Sequence, residues 1–359
     1  MARIYRYVVG PVEAGERVDR YLVRHLPSTI SRSMIQRGIR HGIVTVDERA
    51  VRPNRTLHHG EVVVVRCEWL PAQSQAVMVP QPIPLEVVYE DAALLVVNKP
   101  AGLVTHPAPG HWDGTLVNAI LWHLEQQAAK SWELGAGSKH SQLSAPSSQP
   151  LPPRAGIVHR LDKDTSGLLL VAKTAIVHAE LSKQLKSRLI SRRYLALAEG
   201  IIPLDHGTIN AAIGRHHVHR KEMTVRHLGG RSAVSHYRVI KRYNEGLGVR
   251  SSEHKPASSQ LPTPSSQPRG ISYSVVDVSL ETGRTHQIRV HLAHIGHPVL
   301  GDTTYGHRAA GFWAALGIPR QMLHAYHLTF VHPQTRQPIT LSAPVPPEMA
   351  PWISTLAVV

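Results

Sequence analysis

The sequence contains one cysteine, Cys67, in 359 residues. A single thiol excludes an intrachain disulfide and any cysteine-rich metal module, and it fits a reducing compartment in which Cys67 is a small strand residue. No stretch approaches the ~18 unbroken apolar residues of a membrane span, and the opening MARIYRYVVG has no apolar core behind its charges. A soluble, cytoplasmic protein with no membrane partner is therefore expected. Acidic residues are few: 25 Asp and Glu stand against 40 Lys and Arg, a formal charge of +15. The excess is mostly arginine, the residue suited to bidentate phosphate contacts, so nucleic acid leads over an unspecifically basic protein or one held on an anionic membrane. The 25 histidines include no HExxH and no Cys/His finger spacing. No metal is expected, and HHVH at His216 to His219 reads as part of a basic loop.

Two domains fit this length. Residues 14–66 read as a compact module. Val18, Tyr21, Leu22 and Leu26 share one helical face, and a second helix capped by Ser31 runs to Gly42. In that helix Ile35 and Ile39 point inward, while Arg32, Gln36 and Arg40 recur as an outer stripe suited to a phosphate backbone. IVTV and EVVVVR supply strands around a turn at Asp47 and Glu48. The run SRSMIQRGIRHGIVTVDERAVRPNRTLHHGEVVVV resembles the small S-four-type RNA-binding domain. That resemblance implies that Ser31, Arg32, Arg37 and Arg40 face RNA. Asp47 departs from the asparagine and glycine often found at the family's turn, which an aspartate also tolerates.

Residues 67–84, with four prolines, read as a linker. Two stretches, 125–153 and 250–269, share the words SQL and PSSQP and are too rich in Ser, Gln and Pro to bury a core, so both read as loop insertions. The remainder of 85–359 is strand-rich: LEVVYE, ALLVVNK, GLLLVAK, RRYLALAEG, SHYRVIKRY and ISYSVVDVSL, with the helix TAIVHAELSKQLKSRLI between them. Strands often follow one another directly, so the class is α+β with a mixed or antiparallel sheet, not a doubly wound parallel one.

Two segments carry chemistry-bearing residues. AGIVHRLDKDTSGLLLVAKT places a charged turn just before an apolar strand, where function concentrates. Its bland reading is a turn capped by Asp162 or Asp164. DKDT also echoes the DKTGT word of aspartyl-phosphate enzymes, but there the strong strand precedes the aspartate and here it follows. SVVDVSLETGRTHQIRVHLAHIGHPVLGDTTYG reads as strand, tight turn at Glu281 to Gly283, and a helix to about Ile295. Ile288, Leu292 and Ile295 form its buried side and leave Arg284, His286 and Arg289 to approach a site near the turn.

Together with NKPAGLVTHPAPGHWDGTLVNAIL at 98–121 and RRY at 192–194, these segments resemble, in order, the RluA-type pseudouridine synthase family. HRLDKDTSG, GRTHQIRVHL, HPVLGDTTYG and RQMLHA are its specific words, and IGRHHVHRKEMTV and HPAPGH resemble the branch acting on large-subunit ribosomal RNA. The resemblance implies isomerisation of uridine to pseudouridine without a metal or redox cofactor. It implies that Asp162 is the essential carboxylate, as nucleophile toward the sugar or as base at its C2′. A glycosidase would want two flanking acids; Asp164 reads as a turn residue. By the same resemblance Arg289 pairs with Asp162, Tyr194 stacks beneath the uracil and helps remove its C5 proton, and Arg160 fills the space of the flipped base. Lys99, His106, Arg215 and the rest of the basic 215–221 stretch are phosphate contacts by charge. The competing class is a non-catalytic RNA-binding assembly factor, which has no need of Asp162. A monomer is expected, acting on ribosomal RNA or an assembling subunit.

Overall fold

A computed structural model of the chain describes residues 4–26, 30, 32–66, 79–107, 113–135, 153–219, 222–226, 228–244 and 271–353. The chain divides into two compact units, residues 1–77 and 78–359.

In the first unit β1 (Ile4–Val8), α1 (Val18–His25), α2 (Arg32–Arg40), β2 (Val44–Val46), β3 (Arg49–Ala50) and β4 (Val62–Arg66) follow in order. The strands form one antiparallel sheet, β1-β4-β2-β3. Val18, Tyr21 and Leu22 of α1 and Ile35 and Ile39 of α2 meet Val44, Val46, Val63 and Val65 in one core. Helical spacing in the first set and alternation in the second put them on the inner faces. Gly42, at φ 72°, closes α2 in the left-handed position that glycine takes without a Cβ penalty. Asp47 and Glu48 both hold positive φ, 46° and 62°, the backbone of a tight hairpin turn, and the Asp47 carboxylate accepts the Val62 N–H at 2.8 Å.

Two expectations for this unit need correction. β1 precedes residue 14 and pairs with β4 along its length, so the sheet begins earlier than the expected module edge. The outer stripe on α2 is broken, because Arg32 and Gln36 turn to the fully buried Asp19 at 2.8 and 2.7 Å. Burial would push the Asp19 carboxyl up, but hydrogen bonds from Arg32, Gln36 and Arg17 hold it at about 2. Arg37 and Arg40 stay exposed. Ser31 and Cys67 lie outside the described residues, as do 67–78 of the expected linker. Its remainder, 79–84, is no free tether: Asn118 donates to Val79 O and accepts from Gln81 N–H at its carbonyl, at 2.8 and 3.0 Å.

The second unit runs β5 (Glu86–Glu90), β6 (Leu94–Lys99), α3 (Leu116–Gly135), β7 (Ser166–Ala172), α4 (Ala175–Lys186), β8 (Ser191–Glu199), β9 (His206–Asn210), β10 (Ile213–Arg215), β11 (Met223–Val225), β12 (Val234–Tyr243), β13 (Tyr273–Leu280), α5 (Gln287–His294), α6 (Ala310–Ala315), β14 (Leu323–Val331), β15 (Pro338–Ser342) and α7 (Ala350–Ile353). Among the described residues nine strands form one sheet, β5-β6-β7-β14-β8-β13-β12-β9, with β15 added to β14. Only β7 and β14 run parallel, so the expected mixed sheet is present. Alternation sorts the core. Leu95, Val97, Leu169, Val171, Tyr194 and Ala196 lie on one face with Val117 and Ile120 of α3 and Ile288 and Leu292 of α5. Leu168 and Leu170 lie on the other with Val177 and Leu181 of α4, and Leu195 and Leu197 meet Trp313 and Trp352 there. Both faces are covered, which is why β7 reads as an unbroken apolar run.

The insertion expected at 125–153 is corrected in its first part, since α3 continues to Gly135; 136–152 and all of 250–269 lie outside the described residues. No helix among the described residues is long and apolar enough to cross a membrane.

Candidate active site

The segment 160–165 leads into β7 at the middle of the sheet. Gly167 explains the word SG at its end. With φ 116° it lies so close to β14 that an added Cβ would stand 2.2 Å from Ala325 O, so the parallel β7–β14 pairing requires glycine here. The loop is held from two sides. Lys99 Nζ donates to Pro100 O, Leu103 O and Lys163 O at 2.8, 2.9 and 2.9 Å. Gly102 N–H also reaches Lys163 O, and Thr105 Oγ1 reaches Leu161 O at 2.7 Å. The carbonyls on either side of Asp162 are thereby fixed. From the far side Arg320 donates to Asp164 O and Ser166 Oγ, each at 2.9 Å.

Asp162 is mostly buried, 14% exposed at its side chain, and faces two groups of the α5 entrance. Arg289 Nη1 stands 3.4 Å from Oδ2 and His286 Nε2 3.9 Å from Oδ1. Arg289 is itself gripped by the fully buried Asp302, which takes Nε and Nη2 at 2.6 and 2.8 Å. Asp302 also caps its own turn through Thr304 and Tyr305 N–H. Burial pulls the Arg289 guanidinium down, yet the Asp302 hydrogen bonds and the charges of Asp302 and Asp162 outweigh it and push it above its ordinary value. Tyr305 lies under the guanidinium, 5.0 Å from ring centre to Cζ.

His286 starts α5 in the left-handed region, φ 55°, a conformation uncommon outside glycine and found at constrained sites. Met223 N–H donates to Tyr305 Oη at 2.9 Å, and the same oxygen shares a hydrogen bond of 2.7 Å with His286 Nδ1. Burial, aided by Arg289 and Arg160 and opposed by Asp162, lowers the His286 pKa. Its Nε2 is the ring nitrogen that faces Asp162. Through Met223 the β10–β11 hairpin is tied to this corner. HHVH caps the hairpin tip, where His216 Nδ1 accepts from Val218 and His219 N–H, and Arg215 is exposed.

Tyr194 is buried on β8, on the face that holds Leu161. Burial raises its hydroxyl pKa, Asp162 adds to the rise and Arg192 opposes it. Arg160 is exposed at the loop's outer edge, near enough to His286 to act on its charge. The structure thus gathers Asp162, Arg289, Tyr194, Arg160 and the expected His286, and adds Asp302 and Tyr305. The word HPVLGDTTYG contains Asp302, but nothing in it marks that residue as the anchor of a distant arginine.

Lys99 is corrected. It is fully buried with all three donors on carbonyls, so it braces the loop and cannot meet a phosphate. Burial, opposed by Asp164 and Asp162, draws it down to about 7, while its three acceptors match the three N–H of the ammonium form. Arg32 is diverted to Asp19. Among the described residues no three His, Cys, Asp or Glu side chains converge as metal ligands would.

A largely buried carboxylate facing an arginine that a second carboxylate already holds, in a strongly basic chain, fits an enzyme acting on nucleic acid. Residues 93–294 match the family model described as RNA pseudouridylate synthase, and residues 16–63 match that of the S4 domain. The chain belongs to the RNA pseudouridylate synthase family and is an RNA pseudouridine synthase with an S4 domain. It is 39% identical over 362 residues to the ribosomal large subunit pseudouridine synthase D of Pseudomonas aeruginosa, covering 98% of this chain and 96% of that protein. It is 38% identical over 354 residues to the protein of the same name from Neisseria meningitidis, covering 96% and 80%. Among solved structures it matches human RNA Pseudouridylate Synthase Domain Containing 1 at 25% identity, with a TM-score of 0.49, over 74% of this chain and 84% of that one.

Proposed function

We propose that this enzyme converts specific uridines of large-subunit ribosomal RNA to pseudouridine, with Asp162 as the reacting carboxylate. The observation that carries the reading is Asp162 itself, the carboxylate on a braced loop whose charge is met by Arg289 at 3.4 Å and His286 at 3.9 Å. The names of the relatives from Pseudomonas aeruginosa and Neisseria meningitidis support the choice of RNA.

The reaction is an isomerisation and balances within the nucleotide. The N1–C1′ bond breaks, the uracil turns, C5 bonds to C1′, and the C5 proton leaves as N1 gains one. Asp162 serves as nucleophile at C1′ or as base at C2′, and in both routes it acts as the anion. Arg289, fixed by Asp302, holds that charge without closing on it. Tyr194 stacks beneath the uracil; its buried hydroxyl stays protonated at neutral pH, which favours stacking and makes Tyr194 alone a poor base. Arg160 fills the space left by the flipped uridine, whose extrusion costs a few kcal/mol. Arg37 and Arg40, exposed on α2, and Arg215 on the hairpin contact RNA backbone. The S4-like module, expected at residues 14–66 and extended by β1, binds RNA and residues 85–359 catalyse. The enzyme works as a cytoplasmic monomer on ribosomal RNA or an assembling subunit.

Release of tritium from C5-labelled uridine in ribosomal RNA, followed by mapping of modified positions, tests this. Wild type releases tritium and Asp162→Asn does not. Release by the variant at the wild-type rate would remove Asp162 from its role, and modification confined to other RNAs would remove the substrate assignment.

A further inference from the structure

Two adjacent arginines on β8 have opposite surroundings. Arg193 points to one face of the sheet and pairs with Asp277. Arg192 points to the other face, the one shared by Tyr194, about 7 Å along the strand. It is 6% exposed, and among the described residues its side chain makes no hydrogen bond or ion pair; its Nε is buried without a partner. Its charge acts on His159 and Tyr194. Neither is an anion: His159 is neutral, with burial pulling it to about 3, and Tyr194 is protonated.

A guanidinium removed from water with no anion is costly, and such groups are kept where a ligand completes them. The outer edge of Arg192 lies against Gly283, in the turn that leads to His286 and Arg289. A Cβ on Gly283 would stand 3.0 Å from Arg192 Nη1. Gly283 has no positive φ, so its backbone does not demand glycine; the missing side chain leaves room beside the guanidinium. Gly283 is also exposed, which gives that edge a path to the surface.

We infer that Arg192 receives a backbone phosphate next to the target uridine, so that the RNA supplies the missing anion and fixes the nucleotide over Tyr194. This rests on the reading of Asp162 and Tyr194 as the site of reaction. Arg192 thus differs from the exposed arginines, because its contact forms in a site already stripped of water and sets register rather than general attraction.

The test measures binding apart from chemistry. In an Asp162→Asn background, affinity is measured for an oligoribonucleotide carrying the mapped target uridine, with a neutral methylphosphonate placed at each flanking linkage in turn. One linkage is expected to weaken binding about tenfold. Arg192→Gln weakens the unmodified RNA by a similar factor and is indifferent to the substitution at that linkage. Arg192→Met is expected to match or exceed the parent in thermal midpoint, because it removes an uncompensated buried charge, and Gly283→Val weakens binding in the same way. Wild-type affinity in Arg192→Gln, or full sensitivity of that variant at every linkage, would overturn the inference, as would a large fall in thermal midpoint for Arg192→Met. Failure of the Asp162 reading would show instead as tritium release by Asp162→Asn in the separate assay.

Discussion

Arg289 meets Asp302 through two hydrogen bonds of 2.6 and 2.8 Å but stays 3.4 Å from Asp162. One guanidinium thus serves a structural carboxylate tightly and a reactive one loosely. The division has a physical use. A carboxylate held in a tight bidentate pair is poorly free to move toward a sugar, whereas one facing an already satisfied arginine keeps its charge and its reach.

Removing the tight partner follows directly. Asp302→Ala leaves Arg289 with Asp162 as its remaining carboxylate among the described residues, and closure of that pair is expected. Turnover should fall about a hundredfold from the misplaced acid, with RNA affinity nearly unchanged. Breaking the buried pair should also cost about 3–5 kcal/mol of stability. Arg289→Lys should not restore a working site, since an ammonium lacks the fork that binds Asp302. Tritium release and urea unfolding check both; normal turnover in Asp302→Ala would mean that Asp302 does not set the Arg289–Asp162 gap.

Lys99 gives a prediction opposite to the one its charge suggests. Lys99→Met withdraws its donors from three carbonyls, one of them next to Asp162. It should lower stability by about 2–4 kcal/mol and slow the chemical step, while RNA affinity and its salt dependence stay as in wild type. A reduced salt slope would restore Lys99 to the phosphate contacts.

Lys99 and Asp302 mark the edge of what is legible in the sequence. Alternation and helical spacing disclose β5 to β8, β12 and β13, and the apolar faces of α1 and α2, because local period reports burial. β14 escapes that signal: LHAYHLTFV carries two histidines, His324 and His327, where a central strand commonly has apolar residues, and Ser166 accommodates the first. β9 to β11 are short, and pairing with distant strands defines them. Near the loop, Asp162, Arg289, Tyr194 and Arg160, which the fold brings to one region, are singled out by their words. Lys99, Asp302 and Arg192 are not, since a charged residue's role depends on which partner the fold brings, and that partner lies 13 residues away for Asp302 and Arg289 and 64 for Lys99 and Lys163.

The first unit offers a comparison within one helix. Arg37, Arg40 and Arg32 are all exposed, and Arg32 is in addition ion-paired to the buried Asp19. Arg37→Glu with Arg40→Glu should weaken RNA binding several-fold and flatten its salt dependence, by about 0.7 in logarithmic slope for each single-strand phosphate no longer neutralised, with the thermal midpoint unchanged. Arg32→Ala should mainly lower the thermal midpoint, because among the described residues the buried Asp19 then keeps Gln36 and Arg17. Binding titrations at several salt concentrations, beside thermal scans, separate the two effects; equal weakening of affinity in both variants would return Arg32 to the RNA face.

Acid sensitivity should come from histidines of the second unit. Burial, joined by the charge of Arg192, pulls His159 to about 3, and burial with the charge of Arg320 pulls His324 to about 4. Both are neutral when folded, while the unfolded chain protonates them near pH 6.5. Between pH 6.5 and 4 the unfolded state therefore binds more protons, so stability falls as pH falls, by about 1.4 kcal/mol per pH unit for each histidine. Above pH 6.5 this contribution is complete and flat. The lowered pKa values of His286 and His291 act in the same direction. The carboxyls held at about 2, Asp19 and Glu61, belong to the first unit and lose their contribution at lower pH. Urea unfolding from pH 7.5 down to about 4.5 should show this decline, and His324→Gln, which can still bond Ser166, should make it shallower by about one proton's slope. An unchanged slope in that variant would mean that His324 is already protonated in the folded protein, with its charge met by the Ser166 and Glu348 side of its pocket.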